Sequence, residues 1–91
     1  MVYNGTAMAN DIRVIVRLNQ QGGTEGTSSV YAYVGFPMID ITIPVKSGYR
    51  FMGYYSGQNG EGKQYYTASG KSANHWDIST DTTIYAYWQA S

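Results

Sequence analysis

The sequence predicts a small α+β domain that is mostly β, with four strands and at most one helical turn. Apolar and polar residues alternate in several short runs, which is typical of half-buried strands. Ten tyrosines and eleven glycines favour strands and turns. Pro37 and Pro44 exclude a long helix in the segment that joins the second and third strands. The length of 91 residues suits a single domain.

The domain is expected to span residues 12–89. Residues 1–11, MVYNGTAMAND, are small or polar without a sustained period, so they are interpreted as a linker or a lead-in. The next segment alternates, and its apolar face consists of Ile12, Val14, Val16 and Leu18. A glycine-rich turn follows, and a second apolar face consists of Val30, Ala32 and Val34. These two strands predict an antiparallel hairpin.

The remaining strands are predicted at residues 48–56 and 82–88, which are rich in aromatic side chains. Between the hairpin and the third strand, Ile39, Ile41 and Ile43 alternate with polar residues. This pattern predicts an extended segment that crosses the core and buries its isoleucines. Most aromatic residues must build the core of so small a domain, and the residues assigned to structure in this way are Tyr49, Phe51, Trp76, Ile84, Ala86 and Trp88.

Several motifs resemble one known family. GYRFMGYY is similar to G-Y-x-F-x-G-W-Y, and the matching residues are Gly48, Tyr49, Phe51, Gly53 and Tyr55. DTTIYAYW is similar to D-T-T-L-Y-A-x-W, and the matches include Thr83, Tyr85, Ala86 and Trp88, with Trp76 upstream. On these motifs the chain resembles the Listeria/Bacteroides repeat family, the internalin B-like modules of bacterial surface proteins. Tyr54 departs from the usual tryptophan, and LNQQGGT departs from F-D-x-N-G-G-T.

The resemblance implies a fold and a function. The fold is a small β-grasp-like, ubiquitin-like domain in which a mixed four-stranded sheet wraps a reduced helix or an extended crossover. The function is that of a noncatalytic, secreted repeat module on the bacterial cell surface. Such a module acts as a spacer or adhesive unit that contacts protein or glycan and neighbouring repeats of its parent chain. The alternative is an accessory domain of a secreted carbohydrate-active or proteolytic enzyme.

Catalytic and metal sites find no support in the sequence. His75 is the only histidine and lies in a polar loop, so no role is assigned to it. The six carboxylates are scattered, without the spacing of a metal site or a glycosidase pair. Cysteine is absent. We therefore predict no enzyme activity, no cofactor and no metal.

GQNGEGKQ at residues 57–64 imitates a phosphate-binding loop, with Gly57, Gly62 and Lys63 in place. Gln64 occupies the position of the required Ser or Thr, and a β-favouring run follows where the motif requires a helix. We therefore predict a turn with a solvated Lys63 and no nucleotide. The net charge of zero argues against nucleic acid, and no segment is apolar enough to enter a membrane.

A contact surface is the remaining hypothesis. Alternation places Tyr31, Tyr33 and Tyr87 on the faces of their strands that point away from the core. Exposed tyrosines suit protein recognition or stacking on sugar rings, and basic residues add affinity for anions. The predicted contact residues are Arg13, Arg17, Tyr31, Tyr33, Lys46 and Tyr87. The simpler interpretation is cross-strand pairing that protects the sheet.

Overall fold

A computed structural model describes residues 12–91, so the interpretation of residues 1–11 as a lead-in lies outside the described range. The strands are β1 (Arg13–Asn19), β2 (Ser29–Tyr33), β3 (Tyr49–Tyr55), β4 (Gln64–Tyr66) and β5 (Thr82–Ala90). A short 3₁₀ turn spans Gln58–Gly60 between β3 and β4. All five strands belong to one sheet with the order β2-β1-β5-β3-β4.

The prediction of an α+β, four-stranded β-grasp-like domain is wrong. The sheet has five strands, curls into a half-barrel, and is accompanied by no α-helix within residues 12–91. The strand that the sequence pattern missed is β4, which is three residues long and places the adjacent Tyr65 and Tyr66 in the core. Two consecutive buried residues conceal the period of two that identifies a strand.

The strand pairings make the sheet mixed. β1 pairs antiparallel with β2, which confirms the predicted hairpin. β1 also pairs parallel with β5, and β3 lies antiparallel between β5 and β4. The register of β3 against β5 shifts between Phe51 and Gly53, and this β-bulge turns Tyr54 toward the core.

The core lies on one face of the curled sheet and is closed by residues 34–48 and 67–81. Phe51, Trp76, Ile84 and Ala86 are buried there, as predicted. Tyr49 differs, because 46% of it is exposed at the beginning of β3. Trp88 is half-buried, and its indole N–H donates to the backbone oxygen of Gln20 at 2.8 Å. The remaining members of the buried core are Val14, Val16, Leu18, Val30, Ala32, Met38, Tyr54, Tyr65 and Tyr66.

The segment between β2 and β3 does not bury its isoleucines as predicted. Ile39 is 61% exposed and Ile43 is 37% exposed, while Ile41 packs only partly against the core. Met38 and Pro44 are the buried residues instead. Alternation sorts side chains only where the backbone is held in a sheet, and this segment makes isolated bonds, such as that from the Ile41 N–H to the Gly70 oxygen at 3.1 Å.

Candidate functional site

The face of the sheet that points away from the core carries four of the six predicted contact residues. We call the surface formed by Arg13, Arg17, Tyr31 and Tyr33 the Arg-Tyr patch. The register of β1 and β2 places Arg13 opposite Tyr33, and it places Arg17 opposite Ser29. Tyr31 is 54% exposed and Tyr33 is 42% exposed. Because both strands belong to the hairpin, the patch lies on backbone that is held by hydrogen bonds.

Cationic groups flank the aromatic rings of the Arg-Tyr patch. The guanidinium carbon of Arg13 lies 4.5 Å from the centre of the Tyr31 ring, which is a cation–π contact. Neither Arg13 nor Arg17 forms a salt bridge within residues 12–91. Asp81 lines the shallow hollows beside both arginines, and its Oδ1 accepts the Ile15 N–H at 2.9 Å. The patch therefore combines two exposed tyrosines and two cations with one carboxylate at its border.

Tyr87 does not belong to this patch. It lies on β5 beyond the part that pairs with β1, where its ring makes an edge-to-face contact with Tyr55 at 5.7 Å between ring centres. The loop after β3 covers the ring, since a Cβ on Gly60 would lie 3.1 Å from it. Tyr87 is half-buried, and the loop restricts the access of a ligand to it.

Lys46 lies against the opposite face of the sheet. Its Nζ is 4.3 Å from the centre of the Tyr49 ring and 5.8 Å from that of Trp88, and it donates to the Gln21 oxygen at 3.2 Å. Trp88 belongs to the core-facing side of β5, whereas Arg13 and Arg17 point to the other side. The structure therefore separates Lys46 from the arginines with which the sequence grouped it.

A groove surrounds Lys46 and was not foreseen in the sequence. Its volume is about 660 Å³, and it combines an apolar lining with the cations of Lys46 and Arg50 and no carboxylate. The Lys46 groove is lined mainly by Ile43, Pro44, Val45, Lys46, Tyr49, Arg50, Phe51, Ala68 and Trp88. The two sequence motifs contain Tyr49 and Trp88, but it is the pairing of β3 with β5 in the structure that brings these residues to one groove.

A second hollow of about 630 Å³ contains His75, which is exposed, together with the pair Lys63 and Asp77. The Nζ of Lys63 lies 2.6 Å from Oδ2 of Asp77, and the Tyr65 hydroxyl donates to Oδ1 at 2.5 Å. The hydrogen bonds from Lys63 and from Tyr65 lower the pKa of Asp77. Burial raises the pKa of Tyr65 well above its usual range, and the bond to Asp77 adds to this effect. Lys63 is exposed, as predicted, and its ion pair with Asp77 is a contact that the sequence did not predict.

The segment at residues 57–64, which is similar to a phosphate-binding loop in sequence, is a turn, as predicted. The N–H of Gly57 donates to the Glu61 oxygen at 3.0 Å, and the N–H of Glu61 donates to the Gln58 oxygen at 3.2 Å. The N–H of Lys63 donates to Oγ of Ser56 at 3.0 Å. These N–H groups therefore point into the turn rather than toward a phosphate, and β4 follows where the motif requires a helix.

The motif residues have structural positions that explain their types. Gly48 has a φ of +81° in the turn before β3, and Gly53 has a φ of +128° at the bulge. A Cβ on Gly53 would lie 2.3 Å from the Tyr66 oxygen. On β5, Thr83 and Tyr85 are half-buried on the face opposite to that of Ile84 and Ala86, and Tyr55 pairs with Tyr85 from β3.

Within residues 12–91, no group of three or more His, Cys, Asp or Glu side chains is arranged to hold a metal ion. The same part of the chain has no helix that is long and apolar enough to cross a membrane. Comparison with known protein families and with curated proteins found no match to this chain. The resemblance to the Listeria/Bacteroides repeats therefore remains a prediction that is based on the motifs alone.

Proposed function

We propose that this chain is a noncatalytic module of a bacterial cell-surface protein, a spacer or adhesive unit that contacts an acidic glycan or a protein through the Arg-Tyr patch. The supporting observation is the cluster of two exposed tyrosines and two arginines on one hairpin, where the arginines form no salt bridge with any residue in the range 12–91. The motifs that resemble the surface repeats are the second support for an extracellular role.

The chemistry of the Arg-Tyr patch suits a ligand with both flat and anionic groups. Tyrosine rings bury a large area at low entropic cost and stack on the faces of sugar rings. Guanidinium groups form paired hydrogen bonds with carboxylate or sulfate. The cation–π contact, in which the guanidinium carbon of Arg13 lies 4.5 Å from the centre of the Tyr31 ring, also holds the cation close to the aromatic surface. An acidic glycan or an acidic segment of protein satisfies both requirements.

The Lys46 groove is the competing surface. Its cation is already engaged by the Gln21 oxygen and by the ring of Tyr49. A ligand would have to displace these contacts before it could use the charge of Lys46. Arg13 has a comparable ring contact with Tyr31, but within residues 12–91 neither Arg13 nor Arg17 donates a side-chain hydrogen bond like that of Lys46, which favours the patch.

A glycan array combined with heparin retention at low and moderate salt tests the proposal. We expect the wild-type chain to bind acidic glycans, and we expect a variant with Tyr31→Ala and Tyr33→Ala to lose most of this binding. Tyr49→Ala is the matched control, because Tyr49 is exposed to a similar extent at 46% but lies in the Lys46 groove. The control should bind like the wild type.

Two results would contradict the proposal. If the wild-type chain binds neither glycans nor cell-surface proteins, the adhesive function is excluded and a spacer remains. If Tyr49→Ala abolishes binding while the Tyr31 and Tyr33 variant retains it, the contact lies in the Lys46 groove. The parent gene tests the extracellular part: tandem copies behind a signal peptide support it, and an adjoining catalytic domain supports the accessory alternative.

A further inference from the structure

The two edge strands of the sheet, β4 and β2, differ in whether another segment covers their outer backbone groups. The edge at β4 is covered by the segment that follows it: the Ala73 N–H donates to the Tyr65 oxygen at 2.9 Å, and the Asn74 side chain donates to the Gln64 oxygen at 2.8 Å. A further isolated β-bridge joins Tyr66 to Ser72 on the same edge. The backbone of β4 is therefore occupied on both sides.

The edge at β2 is not covered by any segment of residues 12–91. Bonds from the Leu18 N–H to the Ser28 oxygen at 2.9 Å and from the Val34 N–H to the Ile12 oxygen at 3.0 Å fix which residues of this strand face β1. The backbone N–H and C=O groups alternate in direction along a strand. Those of Ser29, Tyr31 and Tyr33 therefore point away from β1, outward from the edge of the sheet. Within residues 12–91, the Tyr33 oxygen alone among these groups accepts a bond, from the Phe36 N–H at 3.1 Å.

β2 also lacks the features that normally prevent pairing at an edge. Its sequence SVYAY contains no charged residue, no proline and no glycine, and it pairs with β1 in an unbroken register. Natural edge strands are usually protected by a lysine, a proline, a bulge or a covering loop. The open edge of β2 is therefore suited to the addition of another strand.

We propose that β2 pairs antiparallel with β2 of a second copy of this chain, about a two-fold axis that passes beside Tyr31. In this register Tyr31 faces its own copy, Ser29 faces Tyr33, and Val30 faces Ala32. The larger Tyr33 and Val30 thus lie beside the smaller Ser29 and Ala32, and two large side chains meet only at the axis. The outward backbone groups then form about four hydrogen bonds, without any use of the Tyr33 oxygen.

The charges on the neighbouring strands permit this arrangement. Arg13 of one copy would lie in line with Arg17 of the other, at a distance of three strand spacings or about 14 Å. This exceeds the screening length of about 8 Å at physiological salt, so the repulsion between the arginines is small. A single five-residue strand buries a limited area on each copy, so the association is weak and becomes significant at high local concentration.

Sedimentation of the chain from about 10 µM to about 1 mM tests the proposal. We expect a reversible monomer–dimer equilibrium in the wild type. Tyr31→Lys places two like charges opposite each other at the axis and should raise the dissociation constant at least tenfold. Ser79→Lys makes the same addition of charge at an exposed serine of the loop before β5, outside the sheet, and should leave the equilibrium unchanged.

Amide exchange identifies the surface independently of any variant. The amides of Ser29, Tyr31 and Tyr33 should become protected as the concentration rises, while other exposed amides do not. A monomer at every concentration, or a dimer that is indifferent to Tyr31→Lys in a variant with an unchanged thermal melt, would overturn the proposal. Neither measurement contains a glycan or a partner protein, so its failure leaves the proposed adhesive function untouched.

Discussion

At the scale of single residues, the hydroxyl of Tyr54 is buried and has no hydrogen-bond partner within residues 12–91. An unpaired buried hydroxyl destabilises a protein by about 1–3 kcal/mol. Tyr54→Phe removes the hydroxyl and keeps the edge-to-face contact with Phe51. We therefore expect the free energy of unfolding in urea to stay unchanged or to rise by up to about 2 kcal/mol.

Tyr66→Phe is the matched control for this change. The Tyr66 hydroxyl is also on a buried ring, but it donates to the Ile39 oxygen at 2.7 Å. Its removal should lower the free energy of unfolding by about 1 kcal/mol. An equal loss in both variants would show that the Tyr54 hydroxyl is hydrogen-bonded in solution.

The carboxylate of Asp77 provides a test by pH. Its pKa is lowered by the hydrogen bonds from Lys63 and Tyr65, so its contribution to stability is present above the unfolded pKa, which is near 4, and is lost as the pH falls through the lower folded pKa. Because both charged side chains are almost half exposed, the contribution is modest. NMR titration should give a pKa below the usual range in the wild type.

Lys63→Met removes the larger cause of this lowered pKa and should raise the pKa of Asp77 toward its ordinary value. Tyr65 remains as a hydrogen-bond donor, so the return should be incomplete. A pKa of Asp77 that does not respond to Lys63→Met would show that the ion pair at 2.6 Å does not form in solution.

At the scale of elements, the bulge in β3 depends on a glycine. Gly53 has a φ of +128°, and a Cβ there would lie 2.3 Å from the Tyr66 backbone oxygen. Gly53→Ala therefore combines backbone strain with a clash between β3 and β4, and we expect the free energy of unfolding to fall by about 3 kcal/mol or more. Urea denaturation followed by circular dichroism measures this loss.

Gly35→Ala separates the two causes. Gly35 also has a positive φ, at +89°, but a Cβ there meets nothing within 4 Å. The control should lose only the cost of the left-handed conformation, about 1–2 kcal/mol. If both variants lose the same amount, the close approach of β4 to the bulge does not contribute to stability.

The hydrogen bonds of the loop between β3 and β4 predict that the chain does not bind nucleotides. Because the N–H groups of Gly57, Glu61 and Lys63 are bonded within the loop, ATP or GTP with Mg²⁺ should leave the Tm unchanged. Thermal melts with nucleotide at millimolar concentration provide the measurement. A rise in Tm that depends on the nucleotide concentration would show that the loop opens and binds phosphate.

Regular alternation along a paired strand predicted β1 and β2 correctly, whereas β3 was predicted from its aromatic residues and contains a bulge that breaks alternation. β1 and β2 satisfy the alternation, since Val14, Val16, Val30 and Ala32 are all buried. Alternation did not reveal β4, because this strand is too short to show a period. It failed also for Ile39 and Ile43, where an alternating pattern occurs outside the sheet.

At the scale of the whole molecule, the contact surface was only partly predictable for the same reason. The hairpin register brings Arg13, Arg17, Tyr31 and Tyr33 together, and this register follows from the alternation of two neighbouring strands. The position of Lys46, and the coverage of Tyr87 on β5 by the loop after β3, depend instead on the paths of loops that have no period. The Lys46 groove, which unites residues from distant parts of the chain, could not be derived from local patterns.

The net charge of the molecule is zero, but its cationic residues differ in whether they form salt bridges. Lys63 and Lys71 each form a salt bridge, with Asp77 and Asp40 respectively. The arginines of the Arg-Tyr patch form none within the described part of the chain. A neutral protein can thus present a local cationic surface, which the net charge alone does not reveal.

The most direct test of the central claim is an NMR titration of the ¹⁵N-labelled chain with a heparin-derived oligosaccharide. The proposed function predicts saturable shifts that cluster on the backbone amides of Arg13, Arg17, Tyr31 and Tyr33, and that shrink when salt is raised. Shifts that cluster around Lys46 and Tyr49 instead, or the absence of shifts at millimolar oligosaccharide, would contradict the assignment of the Arg-Tyr patch as the binding surface.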